Sequence, residues 1–82
     1  EAEEKQNPEI STYPNPTNGT VNIDLGNLKN TMIRVSNSSG QLIYQQSGLS
    51  GLHQFEINNK SGLYFIEITS ETENQVFKLI KK

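Results

Sequence analysis

The chain offers little reactive chemistry. His53 is its only histidine and Asp24 its only aspartate, and there is no cysteine. Acyl transfer through a Ser-His-Asp relay would need both of those residues beside an activated serine. Each lies in a stretch of alternating polarity, and no nucleophile elbow is nearby. Thiolate metal sites and disulfides are excluded. No segment has the alternating oxygen ligands of a calcium loop, so Asn58-Asn59 reads as turn chemistry. Gly40, Gly51 and Gly62 are too far apart to cradle a phosphate. The glutamates cluster in the first nine residues or stand singly along strands, whereas catalytic carboxylates face each other across a cleft. Asn18-Gly19-Thr20, Asn37-Ser38-Ser39 and Asn59-Lys60-Ser61 match the N-glycosylation acceptor pattern, but chance matches are expected in a chain this rich in Asn, Ser and Thr. The expectation is a non-catalytic domain without cofactor or metal.

The elements behind these residues are strands. With 82 residues the chain makes one domain, and 32% hydrophobic content leaves a thin core. A net charge of -2 argues against a nucleic-acid surface. No apolar run approaches the roughly 20 residues that span a bilayer, so direct membrane insertion is not expected. Residues 1–9 hold four glutamates and one lysine without a bulky apolar residue, and they read as an acidic linker. No signal peptide opens the sequence, so export would rely on a signal that has been removed or lies upstream.

From Ile10 the hydrophobic period is two. Strands are expected around Thr20–Leu25, Met32–Ser36, Leu42 to Gln46 or Ser47, His53–Ile57, Leu63–Thr69 and Gln75–Lys81. A short edge segment precedes them. Ser38-Ser39-Gly40, Asn58–Gly62 and Glu71–Asn74 are turns, and Gly48-Ser50-Gly51 is a loop. About seven short strands with regular turn signals predict an all-β, immunoglobulin-like antiparallel β-sandwich. The expected core is Val21, Ile23, Leu25, Ile33, Val35, Leu42, Tyr44, Phe55, Ile57, Tyr64, Ile66, Ile68, Phe77 and Leu79. Val76 and Ile80 compete with Phe77 and Leu79 for the inward face. A carbohydrate-binding or adhesive sandwich module of a secreted multidomain protein is the rival reading, but carbohydrate-binding modules present rows of exposed aromatics. Here only Tyr13 and Phe65 are expected to be partly exposed.

Two stretches stand out. In Tyr13-Pro14-Asn15-Pro16-Thr17-Asn18-Gly19 the prolines remove two donors and hold Tyr13 and Asn15 extended. Asn18-Gly19 then permits a tight reversal. This is an edge segment and a rigid corner before the first full strand. The last segment, Gln75 to Lys82, sets Lys78, Lys81 and Lys82 among apolar residues, as in a lysine-guarded edge strand. An edge of this kind leaves pairing with a second copy open.

Three segments, in order, carry a resemblance: Tyr13–Gly19, then Ser61-Gly62-Leu63-Tyr64-Phe65-Ile66-Glu67-Ile68, then Lys78-Leu79-Ile80-Lys81-Lys82. Together they resemble the type A C-terminal sorting domain of the type IX (Por) secretion system of Bacteroidetes. Ser39-Gly40-Gln41-Leu42-Ile43 is similar to that family's mid-domain hairpin, with Ser38-Ser39 where an acidic residue or Asn often precedes the glycine. The resemblance covers about residues 10–82. It implies a sorting domain there, fused behind a cargo protein and read by the outer-membrane translocation machinery. It also implies a cell-surface sortase that cuts in or before residues 1–9, with the cargo at the cell surface or outside the cell. The family positions it points to are Tyr13, Pro14, Asn15, Pro16, Asn18, Gly19, Gly62, Leu63, Tyr64, Phe65, Lys78, Leu79, Ile80, Lys81 and Lys82.

Overall fold

A computed structural model describes residues 10–82; the acidic linker, residues 1–9, lies outside the described residues. The period-two runs all become strands: β1 (Ser11–Tyr13), β2 (Thr20–Asp24), β3 (Thr31–Asn37), β4 (Leu42–Leu49), β5 (Leu52–Glu56), β6 (Gly62–Thr69) and β7 (Asn74–Lys81). They form a three-stranded sheet in the order β1-β2-β5 and a four-stranded sheet in the order β4-β3-β6-β7. All strand pairings are antiparallel. Each sheet turns one apolar face to the other, which is the sandwich expected from strands with a single clean apolar face.

Most of the expected core is buried between the sheets: Val21, Ile23, Leu25, Ile33, Val35, Phe55, Ile57, Tyr64, Ile66, Ile68 and Leu79. Tyr44 and Phe77 are half-buried against it. In β7 the inward face is the Phe77/Leu79 one, while Val76 and Ile80 are exposed. Leu42 departs from expectation: it is 44% exposed. The cause is a slip in the β3–β4 ladder, where Val35 pairs with Tyr44 but Ser36 pairs with Leu42. One extra residue inverts the alternation, so Leu42 faces outward and Ile43 packs against the core. β4 also runs through Gly48 to Leu49, leaving only Ser50-Gly51 as connection. Ile10 joins the core unexpectedly.

Two buried hydroxyls have opposite fates. Thr17 is bonded, as described below. Thr31 is fully buried, and its Oγ1 has no hydrogen-bond partner among the described residues. A desolvated hydroxyl without a partner destabilises the fold. Thr31→Val keeps the shape and removes the polar atom. The expected outcome in urea denaturation is a gain of about 1 kcal/mol.

Candidate recognition site

The residues able to do acid–base chemistry are kept apart by register. His53 pairs with Ile23 and Asp24 with Leu52, so the two side chains leave opposite faces of the sheet. Asp24 Oδ1 accepts the Gly26 N–H at 2.9 Å, a turn contact. His53 Nε2 lies 2.7 Å from the Tyr44 hydroxyl, and their rings stack with Phe55. Tyr44 is on β4 and the other two on β5, so this stack clasps the sheets along one side. Burial pushes the Tyr44 phenol up from its ordinary value. Among the described residues no cluster of His, Asp and Glu has metal-binding geometry. Tyr13 lies on β1 and Phe65 on β6, in different sheets, so they do not form one aromatic platform.

The family positions come together instead. In the β6–β7 ladder, Gly62 pairs with Lys81, Leu63 with Ile80, Tyr64 with Leu79 and Phe65 with Lys78. Two of the three segments are thus register partners. β7 is the edge of its sheet, as its lysines suggested. Against its outer side lies the third segment, the corner between β1 and β2. The Thr17 N–H donates to Ile80 O at 2.8 Å, and the Lys82 N–H donates to Thr17 O at 2.8 Å. This is a parallel bridge between Thr17 and Lys81. The Asn15 side chain completes the contact: its Nδ2 donates to Lys78 O at 2.9 Å and its Oδ1 accepts the Ile80 N–H at 3.1 Å. The carboxamide has one donor and one acceptor, so here it occupies the place of a main-chain residue opposite Leu79. The corner therefore acts as a short parallel fifth strand, with Asn15 lending a side chain where the prolines cannot lend an N–H.

Local bonds shape this corner. Thr17 is 1% exposed. Its Oγ1 donates to Thr20 O at 2.5 Å and accepts the Gly19 N–H at 3.0 Å. Gly19 has φ +141°, and a Cβ placed there would lie 3.3 Å from Ile57 O. Glycine avoids both the unfavourable dihedral and the crowding. Gly19 O in turn accepts the Ile57 N–H at 2.8 Å. Peptide bonds Tyr13-Pro14 and Asn15-Pro16 are cis. Pro14, Pro16 and Asn18 are exposed, and so are Lys78 and Lys82. Leu79 and Tyr64 belong to the core, and the Tyr64 hydroxyl ties the preceding loop by donating to Lys60 O at 2.5 Å.

Spacing could not show that Asn15 and Thr17 reach β7. Periodicity located the edge strand and composition located the corner, but the bonds between them join residues up to 65 apart in sequence. A buried threonine beside a proline carries no hydrophobic signal.

Comparisons with known proteins bear on the family and the fold. Along the sequence, 71 residues are 32% identical to an ulvan lyase, NLR42, of Nonlabens ulvanivorans, covering 84% of this chain but 13% of the lyase. The fold is that of a part of PorZ, a bacterial surface component of the type IX secretion system of Porphyromonas gingivalis. There the TM-score is 0.68 at 17% identity, over 89% of this chain and 11% of PorZ. Each match thus corresponds to a small part of a much longer protein. The family model described as "Secretion system C-terminal sorting domain" matches residues 11–82, and the chain belongs to that family, the sorting signals of type IX (Por) secretion.

Proposed function

We propose that residues 10–82 are a non-catalytic address that the outer-membrane translocation machinery reads on β7, and that residues 1–9 are the linker to an N-terminally fused cargo. The observation that carries this reading is the meeting of all three family segments around one edge strand, with Lys78 and Lys82 exposed on it. Exposed ammonium groups on a strand edge suit a partner that combines main-chain pairing with acidic side chains. The acidic composition of residues 1–9, without a bulky apolar residue, suits a linker that a surface sortase cuts. The cargo then reaches the cell surface or the medium.

The test fuses residues 1–82 behind a periplasmic reporter in a type IX-competent cell. The wild-type fusion is expected outside the cell. A Lys78→Glu/Lys82→Glu fusion should fold normally, since substitutions at exposed sites shift stability by about 0.5 kcal/mol or less. Its export should fall roughly tenfold or more, the loss of at least one charge-assisted contact. Undiminished export of the folded variant would remove the lysines from recognition.

A further inference from the structure

The corner and any incoming strand need the same atoms. On the outer side of β7, Lys78 O, Ile80 N–H, Ile80 O and Lys82 N–H are all bonded to Asn15 or Thr17. Alternation along the strand directs the main-chain groups of Asn74 and Val76 to that same side. No bond of theirs to the corner is recorded among the described residues. Among the described residues the first part of the edge is thus unpaired on this side, and the last part is plugged.

We infer that Asn15 and Thr17 form a displaceable plug, and that an extended acidic segment of the secretion machinery replaces them on Lys78–Lys82. This rests on the proposed reading of β7 as the recognised strand. The incoming strand starts on the open edge at Asn74 and Val76 and extends by exchange, each of its peptide groups taking over a bond that the plug releases. Exchange of hydrogen bonds like for like leaves little net cost. The occupant is a different protein rather than a second copy. Two copies of β7 paired about Lys78 would set like charges directly opposite, which is unfavourable. An acidic strand would instead meet the exposed Lys78 and Lys82 with opposite charge.

Two fusions to the same reporter decide the matter. Asn15→Ala removes two of the four plug bonds. Hydrogen exchange at the Ile80 amide should then be roughly five- to tenfold faster, with the fold retained. Its export should equal or exceed that of the wild type. A folded Asn15→Ala fusion that stays in the periplasm would overturn the inference, because the corner would then be read in place. The second fusion, Thr17→Cys/Lys81→Cys, locks the plug. Neighbouring strands lie about 4.8 Å apart, within the range of about 4.4–6.8 Å that a disulfide bridges. With the disulfide formed, export should stop, and a reductant should raise it to the level of the Thr17→Cys and Lys81→Cys single variants. Export of the locked form at the wild-type rate would also overturn the inference. Failure of the reading itself looks different: the wild-type fusion would stay inside, or Lys78→Glu/Lys82→Glu would be exported normally.

Discussion

Ile66→Ala should lose about 3–4 kcal/mol of folding stability. Ile66 has no exposed surface and sits in β6, between Val35 on β3 and Phe77 on β7. Three methyl or methylene groups leave a site walled by two sheets, and strands hydrogen-bonded on both sides cannot collapse into the gap. Stability of about 0.05–0.15 kcal/mol per residue amounts to roughly 4–12 kcal/mol for a domain this size. The substitution therefore removes about a quarter or more of it and leaves a measurable unfolded fraction in mild urea. Far-ultraviolet circular dichroism against urea measures the effect, with Ile66→Val, at about 1 kcal/mol, as the graded control. A loss below that of the valine control would mean that the sheets do not share this core.

Thr17→Val should cost about 2–4 kcal/mol, although it conserves shape and adds an apolar group at a buried position. The hydroxyl of Thr17 donates to Thr20 O and accepts the Gly19 N–H. Valine leaves both main-chain groups without that partner beside a side chain that is 1% exposed. The same substitution at Thr31 should stabilise the protein. The two threonines are equally buried, so apolar burial alone predicts the same sign for both. Opposite signs in parallel urea titrations would show that hydrogen-bond satisfaction decides the matter, and equal signs would contradict it.

The fold was legible because its information is local. Val21/Ile23, Ile33/Val35 and Tyr64/Ile66/Ile68 each alternate without interruption, and each run lies in its strand with that face inward. Ser38-Ser39-Gly40 and Glu71–Asn74 close hairpins where turn chemistry placed them. Leu42 was misread because a bulge is a property of two strands, invisible in either one alone. The candidate site was legible in parts only. The lysines of the last segment marked an edge, and the prolines marked a corner. The prolines drew attention to backbone geometry, yet it is the side chain of Asn15 and the main chain of Thr17 that hold β7. The stack of Tyr44, His53 and Phe55 was hidden for the same reason: β4 and β5 meet only in three dimensions.

The bonds from Asn15 to Lys78 and Ile80 span 63 and 65 residues of sequence. Closing so long a loop costs entropy before the contacts can repay it, and topologies rich in such contacts fold slowly. During synthesis the corner emerges early and waits for its partner strand. A chain broken off before Lys82 keeps Asn15 and Thr17 but lacks groups that they bind. The corner is thus closed only once β7 is in place.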